Sequence, residues 1–482
     1  MSIHHNQPKG LFLLFFVEMW ERFSYYGMRA LLVLYMVKAL MFTTEKASHV
    51  YGWYTGLVYL TPLLGGYISD RYLGQRKAIV IGGVLMAIGH FAMAFPPMPF
   101  FFGAMICLIM GNGFFKPNIS TVVGSLYEEN DPRRDGGFTI FYMGINVGAF
   151  FSPLICSTLG EKIGWHWGFG AAGVGMVIGL AMYLWGQQAM LGDHCKKPAV
   201  PQTNYWLPIA LVTAMVLFLI AGAMDFNGFD IAGMFPAWLK WLAFIGVLLW
   251  LAYAYASKPE SGLTHVEKQR IAVIFIMVFF AVFFWSAFEQ AGSSLTLFAD
   301  TETNRNLSLF GWNFLVPAGW FQSLNPLFIV LLAPFFSGMW IKLAEKNSEP
   351  SSPVKFAMGL GLLAVGFVVM IAAAASYQQS GPVSVLWLTG AYFFHTLGEL
   401  CLSPVGLSLV TKLAPAQFGS LMMGVYFLSS TAAGFVGGRL AGNYDAMNHV
   451  NFYMIPTATG VGAALLLLLI TPKLRKWMHG VH

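Results

Sequence analysis

Apolar residues fill this chain in long stretches, near 11–40, 50–72, 78–96, 98–124, 138–160, 168–190, 205–223, 235–256, 270–299, 314–342, 354–376, 383–412, 416–441 and 451–472. Each can carry a helix across the roughly 30 Å of hydrocarbon in a bilayer. The pattern predicts about fourteen transmembrane helices, and no stretch is long and polar enough for a separate soluble domain. The longest polar connections hold Asp131 to Asp135, Lys196-Lys197-Pro198, and Lys342 to Lys355. Met1 to Gly10 is too short and polar for a cleaved signal peptide, so the first helix is expected to stay as a signal anchor.

The first apolar stretch breaks its own pattern. It contains Glu18, Glu21, Arg22 and Arg29, although a charge at mid-membrane costs roughly 2.5–3.5 kcal/mol on insertion scales. Glu18, Arg22, Tyr25 or Tyr26, and Arg29 follow steps of three or four, so they form a stripe on one helix face. Glu21 lies one step to the side. The stripe must face a protein interior or a wet cavity. It reads either as a buried structural ion-pair strip or as a site for an ionic solute and protons.

Composition supports the membrane reading. The chain of 482 residues is 57% hydrophobic and 10% charged, where a soluble domain carries about 25% charged residues. Its net charge of +6 follows membrane topology and is no nucleic-acid footprint. With the N-terminus inside, the cytoplasmic side collects Lys9, Arg71, Arg76, Lys77, Arg133, Arg134, Lys196, Lys197 and most of the later basic residues. The opposite side keeps only Lys38, Lys46, Lys162, Lys240, Arg305 and Arg439. The bias places both termini in the cytoplasm. Cys107, Cys156, Cys195 and Cys401 lack metal-ligand spacing and predict no disulfide framework. His395 and Glu399, four apart on one helix, are two lone ligands and define no metal site.

The remaining basic residues at membrane depth are Arg22, Arg29 and Lys116, and the acids there are Glu18, Glu21, Glu289 and Glu399. Once the seventh and eighth spans are set aside as an insertion, these charges fall on helices 1, 4, 7 and 10 of a twelve-helix core. Equivalent helices of two six-helix halves then carry them, as a repeat built around a central site requires. An echo of spacing agrees: Pro62-x3-Gly66-x3-Asp70 ends helix 2, and Pro334-x3-Gly338-x3-Lys342 ends helix 8. The predicted architecture is an all-α integral membrane protein. It has an N-terminal bundle over 1–192, a linker with two additional helices over 193–265, and a C-terminal bundle over 266–482.

Several of these residues stand in recognisable motifs. Glu18-x-x-Glu21-Arg22-Phe23-x-Tyr25-Tyr26-Gly27 and Phe141-Tyr142-x-x-Ile145-Asn146-x-Gly148 resemble the two signatures of the proton-dependent oligopeptide transporters. Gly65-Gly66-Tyr67-Ile68-Ser69-Asp70-Arg71-x-x-Gly74-x-Arg76-Lys77 is similar to the helix 2–3 loop of the wider major facilitator superfamily. Gly113-Phe114-Phe115-Lys116-Pro117-Asn118 and Gly398-Glu399-Leu400-x-Leu402-Ser403-Pro404 complete the likeness. The resemblance implies a major facilitator fold and explains the two additional helices, which bacterial members carry. It also implies a bacterial inner-membrane symporter that imports di- and tripeptides by alternating access. Protons would be the coupling ion, with no cofactor and no metal. Animal members place a histidine on helix 2 where this chain has Gly52, so coupling here would rest on carboxylates.

The residue chemistry fits a zwitterion. Arg22, Arg29 and Lys116 suit a carboxylate, which arginine can grip with two bonds. Glu399 suits an ammonium, with Ser403 one turn later. With no substrate bound, either Lys116 across the cavity or a proton would satisfy Glu399. The resemblance adds contacts from Tyr26, Tyr59, Asn146, Trp285 and Asn325, each of which could instead be a packing group. It also implies an Arg29–Glu289 pair toward the outside and an alternation between Glu18, Glu21, Lys116 and substrate. Three cations against four acids leave one negative charge, which one proton neutralises. The rival readings are a porter for nitrate, an amino acid or a drug, and a membrane-embedded enzyme. The expected partners are peptide, protons and membrane lipid, and not nucleic acid.

Overall fold

The computed structural model describes residues 7–128, 131, 133–198, 201–228, 263–309, 312–415 and 418–481. The expected span 235–256, with Lys240, lies outside the described residues. The helices are α1 (Lys9–Lys38), α2 (Thr44–Ile68), α3 (Gln75–Ala92), α4 (Met98–Ser125), α5 (Arg134–Lys162), α6 (Trp165–Leu191) and α7 (Trp206–Phe226). They continue with α8 (His265–Phe288), α9 (Ser294–Thr301), α10 (Leu324–Glu345), α11 (Ser352–Ser380), α12 (Val385–Leu413), α13 (Gly419–Gly442) and α14 (His449–Trp477). Among the described residues, nine helical spans are long and apolar enough to cross a membrane. α1 is not one of them, because its middle is charged, and it turns that middle inward: Glu18 and Glu21 are fully buried.

Two expected spans differ from the observed helices. The stretch 270–299 is not one helix, because a 3-10 turn over Glu289–Gly292 separates α8 from α9. A Cβ on Gly292 would collide with the Tyr51 hydroxyl, so the chain must turn there without a side chain. The stretch 314–342 is helical only from Leu324. Asn306–Leu309 (β2) and Trp312–Leu315 (β3) pair antiparallel, and Ala318–Ser323 is a 3-10 turn. Pro317 accounts for the difference: it disfavours helix at the residue before it, and it caps the turn after it. A second ladder joins Thr303–Asn304 (β1) to Val383–Ser384 (β4) in parallel.

Helices α1–α6 pack mainly on one another, with α1 against α5 and α6, and α3 against α4 and α6. Helices α8–α14 do the same, with α11 against α12 and α14, and α8 against α13. The two bundles meet along α2 and α13, and along α5 with the 318–323 turn and α10. Glycines set the first contact, as in membrane helices that approach backbone to backbone. A Cβ on Gly52 would lie 2.6 Å from the Gly434 carbonyl oxygen and 2.7 Å from Gly438 Cα. Both obstacles are backbone, so neither can rotate away.

Gly52→Val should therefore force α2 and α13 apart. Overpacking of this kind costs about 1–3 kcal/mol. The expected outcome is a lower thermal midpoint for the purified protein in detergent, whereas Gly103→Val, where a Cβ meets nothing within 4 Å, should leave it unchanged.

Candidate functional site

The site begins with proline. Pro62 sits inside α2 and has no N–H to give the Val58 carbonyl four residues back. Asn112 of α4 fills that vacancy: its Nδ2 donates to Val58 O at 2.9 Å. The same amide turns its Oδ1 to Arg22, whose Nη2 donates to it at 3.1 Å. One side chain thus satisfies the carbonyl that Pro62 leaves free inside α2 and aims a buried arginine.

Around this anchor the charges pair. Arg22 grips Glu21 through both Nε and Nη2, the latter at 2.6 Å, and its Nε lies 3.6 Å from Glu18 Oε1. Lys116 donates to the same Glu18 oxygen, while Glu18 Oε2 is buried without a partner. Nearer α9, Arg29 Nη2 donates to Glu289 Oε2 at 2.6 Å, and Arg29 Nε donates to the Tyr51 hydroxyl at 2.7 Å. That hydroxyl in turn donates to Glu289 Oε2 at 3.1 Å. The Tyr26 ring lies between the two arginines, 5.9 Å from Arg22 and 5.8 Å from Arg29. Cations over ring faces gain electrostatic stabilisation without any added negative charge.

Glu399 of α12 is different. Its Oε2 accepts from Asn325 Nδ2 at 2.7 Å, and the same nitrogen reaches Thr396 Oγ1 at 3.1 Å. Among the described residues it has no ion pair. Lys116 does not cross to it, contrary to one expectation from sequence, because the nearer Glu18 takes the ammonium on its own side. His395 turns to the Phe367 ring at 4.6 Å and does not join Glu399. Accessibility separates the cations: the Lys116 side chain is 30% exposed, against 7% for Arg22 and 9% for Arg29.

Among the described residues, no hydrogen bond or ion pair ties Tyr59, Asn146, Trp285 or Ser403 to these charges. Asn146 is buried, and its Nδ2 donates to Tyr142 O on its own helix at 3.0 Å. Tyr59, Trp285 and Ser403 are half-buried, with Trp285 edge-on to Phe284 and Phe288. Sequence reasoning missed Tyr51, Asn112 and Thr396. Asn112 was within reach, since it lies one helical turn before Lys116. Tyr51 carried no signal, because its partners come from α1 and from the turn after α8.

A multi-pass protein of two helical bundles, with paired charges buried where they meet, has the build of a secondary transporter of the major facilitator fold. The POT family model matches residues 76–456, and the chain belongs to that family. It is 39% identical to the peptide transporter YePEPT of Yersinia enterocolitica, over 98% of this chain and 96% of that one. It is 35% identical to a di-/tripeptide transporter of Lactococcus lactis, over 99% of this chain and 97% of the relative. The crystal structure of a peptide transporter POT in complex with sulfate superposes with a TM-score of 0.87 at 37% identity, covering 99% of this chain and 97% of that one. A POT family transporter in complex with a thioalcohol-conjugated peptide gives the same TM-score at 33% identity, covering 98% of each chain.

Tyr51→Phe removes only the hydroxyl that joins Arg29 to Glu289. A hydrogen bond to a charged group contributes about 1.5–3 kcal/mol, so thermal unfolding should show a clear loss of stability. The loss should shrink in a Glu289→Gln background, where the charged acceptor is already gone.

Proposed function

We propose that this protein is a proton-coupled symporter that imports di- and tripeptides by alternating access. The observation that carries the reading is the asymmetry of the charge cluster. Glu18, Glu21 and Glu289 are each paired with a cation, and Glu399, on the same bundle as Glu289, is held by an amide alone. A peptide zwitterion complements this arrangement. Its ammonium supplies the cation that Glu399 lacks, and its carboxylate can draw Lys116, the most exposed of the cations, away from Glu18. The peptide specificity of the named relatives points the same way, as does the peptide conjugate held by a solved family member.

The proton has a natural receiver in Glu18. Its free, buried oxygen can accept a proton without first losing a bond, and protonation weakens the hold on Lys116. Arg22 and Glu21 would hold the framework beside it. A proton on Glu289 would release Arg29 in the same way. One proton crossing 100 mV supplies about 2.3 kcal/mol, enough for a roughly fifty-fold gradient of a neutral solute. Halves over 1–192 and 266–482 would rock about this cluster, with Tyr26, Tyr59, Asn146, Trp285, Asn325 and Ser403 lining the peptide path. We place the protein in a bacterial inner membrane with both termini cytoplasmic, on the bias of its basic loops.

Two experiments test this. Glu399→Gln keeps the shape and removes the charge, so free dipeptides should bind about 2–5 kcal/mol more weakly if the pair is desolvated. N-acetylated dipeptides, lacking the ammonium, should bind poorly to the parent protein and lose little further. Equal losses for both ligands would remove Glu399 from amine recognition.

The second experiment separates coupling from exchange. Glu18→Gln in liposomes should fail to accumulate labelled dipeptide against a gradient yet still exchange peptide for peptide. Undiminished, pH-dependent accumulation would exclude Glu18 as the coupling acid.

A further inference from the structure

The turn Ala318–Ser323 belongs by sequence to the second bundle, yet it is fastened to the first. Glu161, near the end of α5, accepts the backbone N–H of Ala318 at 2.9 Å through Oε2 and that of Gly319 at 3.0 Å through Oε1. Trp320 Nε1 donates to Leu154 O at 3.1 Å and to Thr158 Oγ1 at 2.9 Å. Ser323 Oγ donates to Phe150 O at 2.8 Å. Phe150, Leu154, Thr158 and Glu161 follow steps of four, four and three, so a single face of α5 supplies every acceptor. Gly319 completes the fit, since a Cβ there would collide with Ser157 Oγ.

Arg305 steadies the carboxylate. Its Nη1 lies 3.4 Å from Glu161 Oε2 and 3.0 Å from Val316 O, and its Nη2 donates to Asp300 Oδ1 at 2.8 Å. Lys38 of α1 reaches Asp300 as well, at 2.6 Å. The turn then runs directly into α10, whose second residue is Asn325, the amide that holds Glu399.

We infer that Glu161 is a positioning residue for the substrate ammonium: it seats the turn on α5 and thereby sets Asn325 against Glu399. The carboxylate that recognises the amine is then correctly dressed only when the two bundles are closed at the Glu161 end. Glu161 itself touches neither Asn325 nor Glu399. The inference rests on the reading of Glu399 as the amine site.

The test measures uptake of dialanine and N-acetyl-dialanine by the full-length protein in liposomes, comparing the parent with Glu161→Gln, Asn325→Ala and the double variant. The readout is the ratio of the two KM values, which a general loss of fold would not change. Asn325→Ala should reduce the preference for the free peptide by about tenfold, the scale of one hydrogen bond to a charged group. Glu161→Gln should reduce it in the same direction, and the double variant should fall no further than Asn325→Ala alone. Trp320→Phe keeps an aromatic side chain and loses the indole N–H donor, so it should move the ratio the same way, and it serves if Glu161→Gln does not fold. An unchanged ratio in Glu161→Gln and Trp320→Phe, or additive losses in the double variant, would overturn the positioning role. An unchanged ratio in Asn325→Ala would instead overturn the amine assignment on which it rests.

Discussion

A charge cannot be left alone in a medium that will not solvate it, and the interior of this protein is organised by that constraint. Removing a carboxylate or an ammonium from water costs several kcal/mol even after relaxation, and only a close partner with good geometry returns it. Three acids therefore close on three cations: Glu18 on Lys116, Glu21 on Arg22, and Glu289 on Arg29. The neutral groups nearby serve the same end. Tyr51 joins a pair, Asn112 aims an arginine, and Tyr26 offers its ring to two cations. Glu399, with only an amide for company, is where the constraint is met least fully.

The membrane spans were legible because an apolar run of span length has few alternatives in a bilayer. Charge bias and the charged stripe on α1 were legible for the same reason: breaking a strong rule needs a cause. What the chain did not disclose were the places where helices stop and the choice among partners. The strand Trp312–Leu315 and the break at Glu289–Gly292 lie at the edge of or inside long apolar runs, where the few polar residues do not by themselves mark the end of a helix. Only Pro317 and Gly292 hinted at them. Charge counting found the acids and the bases, but which acid Lys116 chose depended on the relative placement of α1, α4 and α12, and no residue spacing encodes that. Tyr51 was invisible for a like reason.

The two bundle contacts use different physics. Along α2 and α13 the approach is backbone to backbone, made by the absence of side chains at Gly52, Gly434 and Gly438. Along α5 it is polar, with α5 supplying acceptors to donors on a short turn. A contact of the first kind is dense but carries little direction. One of the second kind is directional and can transmit a displacement along the chain into the next helix, here α10. Together they join tight apposition with a fixed register.

Pro62 is usually the kind of residue credited with making a helix bend freely. In this protein its freedom is conditional. The carbonyl it abandons at Val58 is held by Asn112, which also holds Arg22. Bending of α2 about Pro62 and reorientation of Arg22 therefore draw on the same amide. The gap left by Pro62 is thus filled from a neighbouring helix by an amide shared with a buried cation, which ties the local geometry of α2 to the position of Arg22.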